Sequence, residues 1–224
     1  MAGWWVIDLY QMDPAALFAW VVWIVVSIVL HELSHGWTAI RMGDDTPRHL
    51  GRMTLNPLVH IPPIAWVVFA VFGMVWGSMP VDPSRMRGRH ADAIVSLAGP
   101  MMNLSIAVIV AVVLAAWEVI APRVIDPARF ASDPFHVNLL MFMVLGVHLN
   151  LAMMLFNLAP VPPLDGSRIL ASYWRWYDRL LSGPQAMYVS LFGLAIAAAF
   201  FWRVIAPAAG QATDALMSLT RSLF

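Results

Sequence analysis

Three long apolar runs constrain this chain more than any other feature of its sequence. They cover residues 15–40, 91–120 and 135–156, and each is long enough to cross a bilayer as a helix, which takes about 20 apolar residues. Hydrophobic residues make up 61% of the chain and charged residues only 12%, against about half and about a quarter in soluble domains. The sequence therefore predicts an all-α polytopic membrane protein.

Charge balance and the absence of cysteine exclude several classes of function. The 13 basic and 13 acidic residues cancel, so the chain lacks the basic surface that a nucleic-acid-binding protein needs. Without cysteine there can be no disulfide, no thiolate metal site and no cysteine nucleophile. Any bound metal must be held by His, Asp or Glu.

Four further segments complete the predicted organisation. Residues 46–61 are rich in Gly, Pro and β-formers and predict a membrane-associated extended loop or hairpin. Residues 64–79 are apolar but short, so a re-entrant or tilted segment competes with a full span. Residues 185–205 predict a last span, and residues 210–224 predict a short amphipathic helix at the membrane surface.

The placement of arginines favours the re-entrant path for residues 64–79. The positive-inside rule puts clusters of arginine on the cytoplasmic side, and the two clusters that flank this segment share one side only if it enters and leaves by the same face. These clusters are Arg41, Arg48 and Arg52 before the segment, and Arg85, Arg87 and Arg89 after it.

The first apolar run contains the motif His31-Glu32-Leu33-Ser34-His35. Two histidines at positions i and i+4 share one face of a helix and can reach the same zinc ion, and a glutamate between them can act as a general base. Ionisable groups inside a membrane span are costly unless they are used. The motif therefore predicts a zinc site rather than a chance match.

Two histidines leave a catalytic zinc one protein ligand short. Asp165 is the only acid in the broken segment 157–166, and it precedes Arg175 by ten residues, as His31 precedes Arg41. Because the two separations are equal, Asp165 would lie at the same depth in the membrane as His31 if the residues between Asp165 and Arg175 are helical. Capping of the helix that begins here is the alternative role for this carboxylate.

Three motifs follow one another along the chain: HELSHG at 31–36, AGPMMN at 98–103 and NLAPVPPLDG at 157–166. In this order they resemble the motifs of the site-2 protease family of intramembrane zinc metalloproteases. The sequence GRMTLNPLVHI at 51–61 resembles the short bacterial branch that lacks an appended soluble domain. The residues after His60 depart from the Asp-Pro and Gly typical of similar sequences, which leaves the path of residues 62–80 open.

The resemblance implies a zinc-dependent intramembrane endopeptidase with a three-helix catalytic core. It implies one zinc ion per chain, bound by His31, His35 and Asp165, with Glu32 as the catalytic base. Membrane protein substrates would be cut within or near their transmembrane segments, in the bacterial plasma membrane, at a site nearer the cytoplasmic face. The extended segment after the first motif helix would help to present them.

Under this resemblance, residues 1–224 form a single integral membrane protease domain. Its catalytic core covers about residues 15–181, and residues 185–224 add a C-terminal span and an interfacial helix. The sequence does not fix the oligomeric state.

Three other polar residues, Asn103, Asn157 and His148, each have two possible roles. Asn103 and Asn157 belong to the family motifs and are candidate substrate-binding residues, but Asn103 can equally bond between helices, and Asn157 can satisfy backbone freed by the prolines. His148 either supports a metal ligand or packs between helices. The alternative function is a membrane protein that binds or transports zinc without proteolysis, although transport does not require a glutamate placed as a base.

Overall fold

The computed structural model describes residues 4–126, 129–130 and 132–223, and no strand occurs among them. Three helices are long and apolar enough to cross a membrane, as the apolar runs predict. The helices are α1 (Trp5–Met12), α2 (Pro14–Arg41), α3 (Thr46–His49), α4 (Pro57–His60), α5 (Pro63–Phe72), α6 (Ala91–Val124), α7 (Pro134–Leu158), α8 (Asp165–Tyr173), α9 (Arg175–Ser182), α10 (Ala186–Phe200) and α11 (Ala206–Arg221). The prediction of an all-α polytopic membrane protein is confirmed.

Helices α2, α6 and α7 are the three candidate spans and pack against one another. Local sequence sets two of their starts: the Asp13 carboxylate accepts from the Ala15 N–H, and the Asp133 carboxylate accepts from the His136 N–H. Helix α6 passes through Pro122 and ends at Val124, four residues beyond the predicted apolar run of residues 91–120. Transmembrane helices tolerate proline when neighbouring groups satisfy the freed backbone.

The C-terminal helix α11 packs against α6 and α7. It buries Ala209, Thr213, Met217 and Thr220, and Met217 joins a core cluster formed by α6 and α7. Helix α10 leads into it through a π-helical turn, Phe201–Ile205. The structure thus differs from the predicted surface helix, because the apolar stripe of α11 faces the bundle.

The predicted last span is also shorter than expected. Helix α10 has 15 residues and meets α9 at a bend of 106°, so the two helices make a fourth span only if they are counted together. Helix α8, which begins at Asp165, ends at Tyr173, and α9 follows after a break at Trp174. The chain ends and parts of the 121–134 loop lie outside the described residues.

The segment of residues 62–82 folds back on itself. Helix α5 ends at Gly73, whose φ of +73° is the left-handed conformation that suits glycine. The chain then returns without helix as far as residue 82, and the Ser78 N–H donates to the His60 carbonyl over 2.9 Å. The two ends of the segment therefore lie side by side, as the re-entrant prediction requires. We call residues 73–82 the return segment.

The connection at 46–61 is less extended than the predicted loop or hairpin. It forms a loop with two short helices, α3 and α4, and contains no strand. Each helix has a proline in its first turn, and the Asn56 carboxamide oxygen accepts from the Leu58 N–H at the start of α4. Proline and asparagine at these positions are helix-start signals, which outweigh the β-forming residues between them.

The re-entrant path can be tested by labelling, because the chain has no native cysteine. Cysteines introduced one at a time at His49 and Ser84, which are exposed and flank the segment, should react with an impermeant thiol reagent from the same side of the membrane. A cysteine at Ser132, which follows the full crossing by α6, should react from the opposite side. Labelling of His49→Cys and Ser84→Cys from opposite sides would contradict the re-entrant path.

Candidate metal centre

The two motif histidines lie one turn apart on the buried face of α2. Their ring centroids are 4.7 Å apart and the rings are nearly perpendicular. The Nε2 atoms of His31 and His35 are separated by 3.0 Å, and both side chains are buried within the bundle. Both imidazoles thus direct their Nε2 atoms towards the same point.

Asp165, which is distant along the chain, places its carboxylate beside these two nitrogens. Its Oδ2 lies 3.2 Å from His31 Nε2, and its Oδ1 lies 3.5 Å from His35 Nε2. One donor atom from each of the three residues falls within 4.8 Å of the other two. The three side chains can therefore share one ion.

The non-helical connection between α7 and α8 directs this carboxylate towards the two histidines. Helix α7 ends at Leu158 and α8 begins at Asp165, with three prolines in the intervening residues. Gly166 packs directly beneath the last turn of α7, where an added Cβ would overlap the carbonyl oxygen of Leu158. Glycine is needed here because the first turn of α8 must approach the α7 backbone closely.

Hydrogen bonds at the far ring nitrogens set how each imidazole faces the site. His35 Nδ1 lies 2.7 Å from the Val95 carbonyl oxygen, which can only accept, so this nitrogen carries the proton. His31 Nδ1 lies 2.6 Å from Asn103 Oδ1. With Nδ1 donating in both rings, both Nε2 atoms present lone pairs to Asp165, which is the arrangement that metal-binding histidines adopt.

The residues present fit a zinc ion. Two lone pairs and a carboxylate converge at a buried point, and the buried Asp165 Oδ2 has no hydrogen-bond partner among the described residues. Such a group of acceptors is unfavourable unless a cation lies between them. Two His and one carboxylate are also a donor set of catalytic zinc sites, which keep a fourth position open.

Gly99 closes the site from α6. An added Cβ at this position would overlap Nε2 of both His31 and His35. We expect Gly99→Ala to fold, because alanine is the better helix former by about 1 kcal/mol, but to lose most of its zinc when the purified protein is analysed for bound metal. The matched control is Gly210→Ala, since nothing lies within 4 Å of its added Cβ. Full zinc content in Gly99→Ala would contradict this geometry.

Glu32 lies next to the ion-binding group, and the return segment covers it. The side chain is 7% exposed, and an added Cβ at Gly77 would overlap its carboxylate. Met79 and Met53 approach Gly36 on the next turn of α2, at 3.0 and 2.6 Å from an added Cβ. Sequence reasoning missed the close approach at Gly77, because nothing in the local pattern marks it.

Asp44 holds the return segment against the end of α2. This fully buried carboxylate accepts from the Thr46 N–H over 3.0 Å and from the Asp82 N–H over 2.7 Å. Burial works against ionisation, but these donors outweigh it and lower the pKa of the Asp44 carboxyl. No role for Asp44 is predicted from the sequence, since an Asp after a helix usually lies in solvent.

The structure separates the remaining candidates. Asn103 is fully buried and bonds to His31 and, over 3.0 Å, to Asn150, which favours the helix-bonding role over contact with substrate. Asn157 donates to the Met153 carbonyl of its own helix. His148 Nδ1 lies 3.4 Å from the Thr213 hydroxyl of α11, which favours the role of packing between helices.

Comparison with known proteins agrees with this geometry. The sequence model of Peptidase family M50 matches residues 19–200, which covers both histidines and Asp165. The chain belongs to this family, the site-2 protease family.

Several curated proteins are similar to this member of Peptidase family M50. It is 35% identical to the "Putative zinc metalloprotease YwhC" of Bacillus subtilis over 167 residues, which are 73% of either chain. It is 28% identical to the "Putative zinc metalloprotease Rip2" of Mycobacterium tuberculosis over 191 residues, 81% of this chain and 68% of the relative. The "Putative zinc metalloprotease Rip2" of Mycolicibacterium smegmatis is 30% identical over 149 residues, which are 63% of this chain and 52% of the relative. No solved structure matches the chain at a significant level.

Proposed function

We propose that this protein is a zinc-dependent intramembrane endopeptidase that hydrolyses peptide bonds within or near the transmembrane segments of membrane proteins. The observation that carries the proposal is the convergence of His31, His35 and Asp165 beside Glu32, inside a bundle of membrane-spanning helices. Membership of a peptidase family supports a hydrolytic role for this site.

The proposed roles follow from the chemistry of each group. His31, His35 and Asp165 hold one zinc ion, which supplies Lewis-acid polarisation and lowers the pKa of water when it is bound. Glu32 accepts a proton from the water that attacks the substrate carbonyl, and then gives it to the leaving amine. The buried site around these groups strengthens their electrostatic effect, because the local dielectric constant is low.

The substrate must lose helical structure before it is cut, because the carbonyl groups of a helix are bonded internally. The return segment is non-helical backbone that contacts Glu32 through Gly77. We propose that it moves aside from Glu32 and pairs with the unwound substrate as an added extended segment. This keeps the substrate-presenting role expected after the first motif helix, with the return segment in place of a preformed hairpin.

We place the protein in a bacterial plasma membrane as a multi-pass protein, with the site nearer the cytoplasmic face. The arginine clusters at the C-terminal end of α2 support this orientation through the positive-inside rule. His31 lies ten residues before Arg41, about 15 Å along the helix from this boundary. The proposed partners of the protein are the lipid bilayer and transmembrane substrates. The absence of an excess of basic residues argues against binding to nucleic acid.

The experiment that tests the proposal uses the purified protein in nanodiscs with model transmembrane segments. We expect fragments with new termini inside the apolar stretch, loss of cleavage on chelation, and recovery when zinc is returned. Zinc transport, the alternative, predicts zinc flux in proteoliposomes without fragments. Cleavage that persists in chelator would contradict the proposal.

A further inference from the structure

A chain of buried amides links His31 to the backbone of α7. Asn103 on α6 and Asn150 on α7 are both fully buried. Asn150 Nδ2 donates to the Gly146 carbonyl over 2.9 Å, Asn103 Nδ2 donates to Asn150 Oδ1 over 3.0 Å, and Asn103 Oδ1 lies 2.6 Å from His31 Nδ1. We call these two asparagines the amide relay.

The Gly146 carbonyl fixes the direction of the whole relay. A carbonyl oxygen can only accept, so the Asn150 amide must turn its NH₂ group towards Gly146 and its oxygen towards Asn103. Asn103 must then donate to Asn150 with its own NH₂ group, which turns its oxygen towards His31. An oxygen at this place requires a proton on His31 Nδ1, and this leaves His31 Nε2 as a lone pair.

The two histidines therefore obtain the same tautomer by different means. His35 bonds directly to the Val95 carbonyl, which has only one polarity. His31 bonds to a side-chain amide that can turn over and present a donor instead. Without an anchor, Asn103 could offer its NH₂ group to Nδ1 and drive the proton to Nε2.

We propose that Asn150 is a positioning residue for the metal centre: through Asn103 it holds His31 in the tautomer whose Nε2 can bind the ion. The proposal rests on the proposed zinc role of His31. The hydrogen bonds of Asn150 in the described part of the chain go to Asn103 and to the Gly146 carbonyl, and not to the ion-binding group or Glu32. A contact that only joins α6 to α7 would stabilise the bundle without affecting the ring protons, so the two roles are separable.

The packing of α2 against α7 helps to hold this anchor in place. Trp23 lies against Gly146, where an added Cβ would overlap its indole ring, and Trp23 Nε1 donates to the Phe142 carbonyl over 2.8 Å. Buried amides in a bundle are costly when they are half satisfied. Removal of Asn150 should therefore disturb Asn103 more than the surrounding backbone.

The test compares zinc affinities, measured by competition with a chromogenic chelator, in the full-length protein. Asn150→Leu and Asn103→Leu should each weaken zinc binding by about 10- to 100-fold, the range for loss of a group that supports a ligand. Asn138→Leu is the matched control, because that asparagine also lies on α7 but has an exposed side chain. It should bind zinc as the unaltered protein does.

A second substitution separates positioning from simple helix contact. In the Asn150→Leu background, Asn103→Asp should restore zinc affinity to within a few-fold, because a carboxylate has two acceptor oxygens and no wrong orientation to adopt. A role limited to joining helices predicts no recovery, since the α6–α7 hydrogen bond stays absent. Failure of the double variant to recover, or unchanged affinity in Asn150→Leu, would overturn the proposal.

The ring proton can also be observed without any metal. Nitrogen-15 NMR of the metal-free protein, with His31 assigned by its loss in His31→Gln, should show a protonated Nδ1 in the unaltered chain and a mixture of tautomers in Asn150→Leu. A His31 Nδ1 without a proton in the unaltered chain would overturn the relay even if no variant folds. Absence of zinc binding in the unaltered protein would instead contradict the proposed function, so the two failures are distinguishable.

Discussion

Glu32→Gln is expected to abolish peptide cleavage while the protein still binds about one zinc per chain. The substitution keeps the size and shape of the side chain and removes its basicity, so the ion-binding group of His31, His35 and Asp165 is undisturbed. Loss of a general base costs roughly 10²- to 10⁴-fold in rate. The measurement is fragment formation from a model transmembrane segment, alongside zinc content of the same preparation.

Glu118→Gln is the matched control, because Glu118 is the only other glutamate in the chain. It lies near the far end of α6, where it pairs with Arg221 at 2.7 Å. A partly exposed pair of this kind contributes about 0–1 kcal/mol to stability, so cleavage should be unchanged. Cleavage that survives in a zinc-loaded Glu32→Gln protein would remove Glu32 from the role of base.

Asp165→Ala is expected to lower zinc occupancy and cleavage together, in a chain that still inserts and folds. The carboxylate is the only anionic donor in the ion-binding group, and zinc held by two imidazoles alone lacks the third protein ligand of catalytic sites. Asp165→Asn keeps the shape and tests the charge alone. Zinc content and cleavage are measured on the same preparations, with helicity by circular dichroism as the test of folding.

Asp45→Ala is the control for this substitution. Its carboxylate is 41% exposed and pairs with Arg48 beyond the end of α2, so neither zinc nor activity should change. Asp44 precedes Asp45 in the sequence but is unsuitable as a control, because its buried carboxylate holds the return segment in place. Full zinc and full activity in Asp165→Ala would show that the ligand set is wrong.

Those parts of the fold that depend on local patterns could be predicted from the sequence. The three spans follow from run length and hydropathy, and the shared face of His31 and His35 follows from helical spacing. The position of Asp165 beside them came from equal counts to Arg41 and Arg175, although the intervening helix breaks at Trp174. The count was sufficient because Asp165–Tyr173 is one continuous helix, so the break falls only at the end of the counted stretch.

The remaining features depend on contacts between distant elements and leave no local signal. Asn150 precedes a helix break by several residues, and nothing in that stretch shows that it faces Asn103. The return of the chain past Glu32 depends on the turn at Gly73, in a stretch that departs from the family pattern. The C-terminal helix was misplaced because an amphipathic stripe looks the same whether it faces a membrane surface or a helix bundle.

X-ray absorption at the zinc edge of the purified, zinc-loaded protein tests the central claim most directly. The claim is that His31, His35 and Asp165 bind one catalytic zinc ion in the membrane bundle. It predicts imidazole scattering from two histidines and nitrogen or oxygen donors at about 2.0–2.2 Å, with one imidazole lost in His31→Ala and no sulfur. Scattering from fewer than two imidazoles in the unaltered protein, or a spectrum unchanged by His31→Ala, would contradict the account.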